Sequence, residues 1–529
     1  PGIAGVNGAH LLGYVGPLTD YDLSGANGRS YFRSESIGKA GLEIQYDEYL
    51  RGKPGIKTVI VDRKEAVTST SQNTKPVPGN HLVTSIDIRL QASAEKALAD
   101  AVKRAKASGR YADGGAAVVM DAYNGQILAI ASYPTFDPNS FEKGRTVQEA
   151  KNLFSESSGV PALNRALQGL YAPGSTFKAV SLIAAQDAGY DLKKSYACPG
   201  FIEVGTRVFN NFESKAQGTL SMKKAMAVSC DTIWYQIAFD EWLRDGGLKV
   251  KKNPNDYFFK AAGRFQMGEK TGVDLPSESK GRLADRNWRK AWYSQNKDFY
   301  CNYTKRATKA QQTPFLIQLA KENCIDGDKI RAGDAVNFSI GQGDTVITPI
   351  KLAQMYAAIV NGGTIWQPTV AKAIVSNDGK VIKEITPKRI GTIGVAPSTL
   401  SFLRDALHEV TISGTSAGVF AGFPIQTAGK TGTAQVFGRN ANGSAKSDTA
   451  WYAAFAPVKN PRYVAVLMVS QGGFGASTSA VGVRKIYETL FGVKGKTVDP
   501  KAALFPSGKP PTKLPKISPA TRPPGSEKK

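Results

Sequence analysis

Apolar positions along this chain change period several times, and each change marks an element. In "SIDIRLQASAEKALADAVKRAKASG" (85–109) leucine and alanine return at helical spacing behind Asp87, whose short carboxylate suits an N-cap. A long amphipathic helix is expected there. "GGAAVVMDAYNGQILAIASYP" (114–134) reads as two apolar runs joined around Asn124-Gly125, a hairpin signal because that dipeptide tolerates positive φ. Strand-like runs return at "TAGKTGTAQVF" (427–437), "TAWYAAFAP" (449–457) and "RYVAVLMVSQ" (462–471), followed by the helical "GVRKIYETLFG" (482–492). A long helix beside antiparallel strands predicts an α+β fold, an antiparallel sheet flanked by helices. Residues from about 160 to 280 read as mostly helical, a helical subdomain, and 286–330 as a basic, aromatic, weakly periodic surface insertion. Before residue 80 the chain is Gly-rich. "GAHLLGYVG" and "IKTVIVDR" read as short strands with a short helix at "GLEIQYDEYLRG" between them, an elongated module rather than a compact domain.

Length and composition set the frame. A chain of 529 residues, 41% apolar and 21% charged, has globular values and material for more than one domain. The chain divides into an elongated N-terminal region (1–85), a main domain (86–495) and a tail (496–529). The tail is rich in proline and lysine with few large apolar residues, so it is expected to be disordered. The excess of 68 Lys+Arg over 44 Asp+Glu, a formal +24, favours an anionic neighbour. Nucleic acid is not expected, because zinc-finger spacing, an RNP-like motif and a basic helix with interleaved aromatics are all missing; an anionic envelope or membrane surface fits. No run approaches the roughly 20 apolar residues of a membrane span. Four cysteines (Cys198, Cys230, Cys301, Cys324) without a C-x-x-C pair, and only three histidines (His10, His81, His408), predict neither a disulfide scaffold nor a metal site, and no cofactor is expected. Cys301 and Cys324 share a segment and can pair in an oxidising compartment.

Chemistry enters at "YAPGSTFKAVSLIAAQ" (171–186). Ser175 and Lys178 are spaced three apart, nearly one helical turn, at the start of a helix whose N–H groups and dipole suit an oxyanion-forming nucleophile. Alone, S-x-x-K is common, and Ser175 as a helix cap with a solvated Lys178 explains it as well. Two further stretches change this: "AVSCDTIWYQIA" supplies Ser229 and Asp231, and "TAGKTGTAQV" supplies Lys430, Thr431, Gly432 and Thr433 on a strand. Together, in this order, they match the S-x-x-K, S-D-N-type and K-T-G set of serine β-lactamases and penicillin-binding proteins. The residue types suit acyl transfer. Lys178, if its pKa is depressed, takes the serine proton; Ser229 relays a proton toward the leaving amine; Lys430, Thr431 and Thr433 offer a cationic, donor-rich edge to a substrate carboxylate. Gly432 lets a substrate backbone approach the strand.

With "GAHLLGYVG", "GKAGLEIQYDEYLRGKPG", "LVTSIDIRLQASAEKAL", "FSIGQGDTVITPIKLAQMYAAIVNGG" and "AGKTGTAQ" added, the chain resembles a class B penicillin-binding protein over all but the tail. The resemblance implies an N-terminal pedestal of the dimerisation type and a transpeptidase domain. Ser175 would attack the D-Ala-D-Ala carbonyl of a peptidoglycan stem peptide and pass the acyl group to a neighbouring amine, with the N–H groups of Ser175 and Thr433 as oxyanion hole and β-lactams as inhibitors. The second motif, usually S-x-N, ends here in Asp231, which resembles the elongation subgroup. That subgroup works with a membrane glycosyltransferase of the shape, elongation, division and sporulation family. The resemblance further implies a single N-terminal membrane anchor upstream of Pro1 and an extracytoplasmic domain. Asp231 is expected to raise the pKa values of the two lysines. Some elongation-type relatives bind zinc near the equivalent of "YACPG", but Cys198 has no nearby histidine; Cys230 reads as a small buried packing residue. A β-lactamase or D,D-carboxypeptidase, which sends the acyl group to water, and a non-catalytic β-lactam sensor or cell-wall scaffold are the alternative readings.

Overall fold

The computed structural model describes residues 6–24, 31, 35–141, 146–309, 312–440 and 442–516. Asp87 caps helix α1 (Ile88–Ala107), its side chain accepting from the N–H groups of Arg89 and Leu90. The predicted hairpin follows as strands β1 (Gly114–Asp121) and β2 (Ile127–Tyr133), with Gly125 at φ 74 in the connection. Further on come helices α2 (Lys178–Asp187), α3 (Met222–Val228), α4 (Thr232–Arg244), α5 (Pro349–Val360) and α6 (Pro397–Ile412). Strands β3 (Ala428–Ala434), β4 (Thr449–Ala456) and β5 (Tyr463–Ser470) lead to helix α7 (Val481–Phe491).

The five strands form one antiparallel sheet in the order β3-β4-β5-β1-β2, which leaves β3 at an edge. Alternation along the strands feeds two separate cores. Ala116, Val118 and Met120 join α2 and α5 on one face, whereas Ala117 and Val119 join α1 and α7 on the other. Because helices cover both faces, β4 and β5 are buried at every position and read as continuous apolar runs. The α+β expectation therefore holds.

In the pedestal region "GAHLLGYVG" is not all strand. Ala9–Leu12 make one helical turn, and only Val15–Pro17 is extended, paired with Ser36–Gly38. Elements this short fall below the window in which periodicity registers. The hairpin Ile56–Val61 with Val67–Thr74 is exposed at every position of its first strand. The last strand, His81–Thr84, instead pairs with Ala371–Val375 of the main body. Between 160 and 280 the helices are joined by two small sheets, Ser195–Cys198 with Gly218–Ser221 and Phe201–Val204 with Arg207–Asn210, four-residue strands that the helical reading missed.

The described part of the 286–330 insertion is surface-lying and mostly helical. Helices Arg286–Cys301 and Pro314–Asp326 are joined by a Cys301–Cys324 disulfide, and their periodicity is weak because few of their positions are buried. The expectation of a disordered tail needs correction over its described part. Leu504 is buried in the α1/α7 core, Phe505 stacks on Tyr463, and the Tyr463 hydroxyl donates to the Gly508 carbonyl. A few apolar residues suffice when the domain presents a site for them. Residues 517–529 lie outside the described part.

Candidate active site

Ser175 sits in a tight turn, Gly174–Phe177, that runs directly into α2. Its neighbours hold this turn from three sides. The Gly174 N–H donates to the Gly341 carbonyl at 2.9 Å, Tyr356 Oη of α5 donates to the Thr176 carbonyl at 3.0 Å, and Trp451 Nε1 of β4 donates to the Ala172 carbonyl at 3.0 Å. Gly174 has φ 54, and a Cβ there would lie 3.0 Å from the Thr433 carbonyl oxygen, so the turn abuts the edge strand. Among the described residues the Ser175 hydroxyl makes no hydrogen bond. It opens into a cleft of about 630 Å³ bordered by Ser229, Asp231, Thr431 and Thr433.

Lys178 comes from the first turn of α2 and is fully buried. Its Nζ reaches the carbonyl of Ser229 at 2.6 Å, Ser229 Oγ at 3.0 Å and Asp231 Oδ1 at 2.6 Å. Ser229 ends α3 in the left-handed region, φ 60 and ψ 36, which turns its carbonyl and hydroxyl together onto the lysine. The backbone N–H of Asp231 is anchored by Asn211 Oδ1 at 2.9 Å. Burial depresses the Lys178 pKa below the ordinary lysine value, and the attraction of Asp231 only partly offsets it. The expected rise is thus present as a contribution, but desolvation outweighs it.

Lys430 of β3 is also fully buried, and its Nζ donates to the Thr431 carbonyl at 3.1 Å. Burial first, then repulsion from Lys178, hold it well below the usual lysine range, with Asp231 opposing. Two ammonium groups cannot share one carboxylate in a dry site at low cost, so the pair releases its first proton easily. The residues of β3 that border the cleft are Thr431 and Thr433; Lys430 lies behind them. Gly432 also differs from its expected use. A Cβ there would meet Thr176 Cγ2 at 2.9 Å and the Pro173 carbonyl oxygen at 3.0 Å, so the missing side chain makes room for the serine's own turn.

Several cleft residues had no role in the sequence reading. Thr415 Oγ1 hydrogen-bonds Thr431 Oγ1 at 2.7 Å, and the Thr415 N–H donates to the Ala227 carbonyl, tying the K-T-G strand to the end of α3. Asn337, Gln342, Asp448, Phe474 and the 210–214 loop complete the walls. Of these only "FSIGQGDT" entered the sequence reading, as part of the text that carries the family resemblance; Gly341 and Gly343 have φ 72 and 85. Cys230 is not an unpaired packing residue: it forms a disulfide with Cys198. Among the described residues no group of three or more His, Cys, Asp or Glu side chains is arranged to hold a metal ion.

Comparison with known proteins agrees with this geometry. Residues 115–488 match the penicillin binding protein transpeptidase domain, and residues 3–84 match the penicillin-binding protein dimerisation domain. The chain is 28% identical over 519 residues to the peptidoglycan D,D-transpeptidase MrdA of Salmonella typhimurium, covering 94% of this chain and 73% of the relative. It is similar to a chain of a solved peptidoglycan synthase complex, with TM-score 0.72 and 30% identity over 93% of this chain and 76% of that one. It also resembles the Helicobacter pylori PBP2 solved with MreC, with TM-score 0.70 and 27% identity over 92% and 78%. The S-x-x-K turn, the S-x-D loop and the K-T-G edge strand converge on one cleft within the matched segment, and the chain belongs to the penicillin-binding protein transpeptidase family, as a class B member of the elongation type.

Proposed function

We propose that Ser175 is the nucleophile through which this peptidoglycan D,D-transpeptidase cross-links stem peptides. The observation that carries the assignment is the juxtaposition of a cleft-facing serine hydroxyl with a buried lysine whose ammonium form is disfavoured. Neutral Lys178 has two N–H donors and one lone pair. The 3.0 Å contact with Ser229 Oγ can then run from hydroxyl to amine, leaving the donors for the Ser229 carbonyl and Asp231. As the Ser229 hydroxyl rotates off this lone pair, Lys178 takes the Ser175 proton on it while Oγ bonds to the D-Ala carbonyl carbon. The developing oxyanion is met by the N–H groups of Ser175 and Thr433. When the C–N bond to the terminal D-Ala breaks, the proton reaches the leaving amine through Ser229, and the acceptor amine reverses these steps. Thr431 and Thr433 offer hydroxyls to the substrate carboxylate, and Lys430 acts from behind them through its charge.

Its partners are those of the elongation machinery, and a membrane glycosyltransferase of the shape, elongation, division and sporulation family is the polymerase we assign to it. The likeness to the synthase complex and to PBP2 with MreC supports this. Two disulfides support an oxidising, extracytoplasmic location. No helix among the described residues is long and apolar enough to cross a membrane.

Labelled penicillin with intact-mass readout tests the assignment. Wild type should carry one long-lived adduct, and Ser175→Ala and Lys178→Met none while remaining folded. Rapid turnover of the label would favour hydrolysis, and an adduct on Ser175→Ala would refute the nucleophile. Cross-linking of lipid-linked precursor in the presence of a cognate glycosyltransferase tests the reaction itself.

A further inference from the structure

The second motif contains a bond that the acyl-transfer chemistry does not use. Cys230 stands between Ser229 and Asp231, and its sulfur is bonded to Cys198, at the end of the strand Ser195–Cys198. Both cysteines are 1% exposed. Asn211, itself buried, lies beside this bond. Its Nδ2 is 3.5 Å from Cys198 Sγ and donates to the Lys215 carbonyl at 2.7 Å, while its Oδ1 accepts the Asp231 N–H at 2.9 Å. Thr232 Oγ1 closes the group by donating to the Pro199 carbonyl at 3.0 Å. These contacts fasten the motif to the small sheet and to the loops that flank it, at the three residues that directly follow the left-handed Ser229.

We propose that the Cys198–Cys230 disulfide and Asn211 form a positioning clamp that fixes Ser229 and Asp231 onto Lys178 Nζ and keeps the motif loop seated over it. A non-glycine residue held at φ 60 relaxes unless its surroundings over-determine it, and here the carbonyl and hydroxyl so turned make two of the three lysine contacts. The charged groups facing Lys178 are Asp231 from the motif loop and Lys430 from β3, with Tyr235 of α4 facing Asp231 in turn. If the loop lifts, Lys178 gains water and loses part of its contact with Asp231. These act in opposite directions, and burial is the larger, so the net change favours the ammonium form. Acylation then requires a higher pH.

The proposal rests on Lys178 serving as base for Ser175, so the wild type is measured first. A wild type that fails to acylate overturns that reading, and with it the clamp. Acylation by labelled penicillin is then followed from about pH 6 to 10 for Cys198→Ala/Cys230→Ala, for Asn211→Ala and for Cys301→Ser/Cys324→Ser, alongside thermal unfolding. The first two variants should be slower at neutral pH by about tenfold or more, with the inflection moved to higher pH and much of the rate regained there. The third, which opens the remote disulfide, should keep the wild-type profile. The clamp is refuted if the first two retain the wild-type inflection, whether the rate is unchanged or falls only with the folded fraction. It is also refuted if the remote variant shifts equally. Should the double cysteine variant not fold, Asn211→Ala, which retains the disulfide, decides by the same criteria.

Discussion

Asp231→Asn isolates the effect of one charge on the base. The carboxylate lies 2.6 Å from Lys178 Nζ with 15% of its side chain exposed, so screening by water is slight. Asparagine preserves the size and an oxygen acceptor, and the backbone bond from residue 231 to Asn211 is untouched. What is lost is the charge-assisted part of the contact, worth about 1.5–3 kcal/mol. That energy stabilises the ammonium form, and at about 1.4 kcal/mol per factor of ten its removal favours the neutral amine about ten- to a hundredfold. The sign follows: Asp231 raises the Lys178 pKa, its loss lowers it, and the inflection of the acylation profile moves toward acid. Below the wild-type inflection the variant should acylate faster than wild type. At high pH, where both lysines are neutral, the rates should converge, provided Ser229 still holds Nζ. The assay is the rate of penicillin acylation from about pH 5 to 10, with intact mass confirming a single adduct. An inflection that stays in place or moves to higher pH would refute the electrostatic account and leave Asp231 with a purely structural role.

Gly432→Ala should slow acylation and destabilise by about 1–3 kcal/mol, because its Cβ would press on Thr176 and the Pro173 carbonyl beneath the nucleophile; a crystal structure of the variant should show the serine turn displaced. Ser229→Gly and Ser229→Ala should both lose acylation, but Gly should be the more stable by about 1 kcal/mol in denaturant unfolding, since only Gly adopts φ 60 freely. Lys430 has a depressed folded pKa, so the unfolded chain binds more protons and stability rises with pH up to the ordinary lysine value of 10.5; Lys430→Met should flatten that slope in unfolding titrations. Truncation after Val498 should lower the unfolding temperature by exposing the site of Leu504, worth about 1.5–3 kcal/mol, and that of the partly buried Phe505, without changing acylation per folded molecule.

The chain's own pattern determined the frame and the inventory of the site. Asp87 and the leucine-alanine spacing behind it specify α1, Asn124-Gly125 specifies the β1–β2 hairpin, and the unbroken apolar runs of β4 and β5 announce a sheet covered on both faces. Ser175 and Lys178 share a helix start, so their proximity is a local consequence of a three-residue spacing. Tertiary structure decided everything that depends on what lies opposite. Whether Lys178 is raised by Asp231 or lowered by burial turns on how completely α2, the motif loop and β3 exclude water, which no spacing encodes. Lys430 faces inward rather than into the groove because β3 presents Thr431 and Thr433 to the cleft. Gly432 serves the turn beneath it because that turn, 257 positions earlier at Ser175, packs there. Cys198 and Cys230 carry no sign of partnership in sequence. Two sulfurs pair only when a small sheet and a motif loop bring their backbones within 6.3 Å of each other, a long-range distance that sequence separation alone does not set.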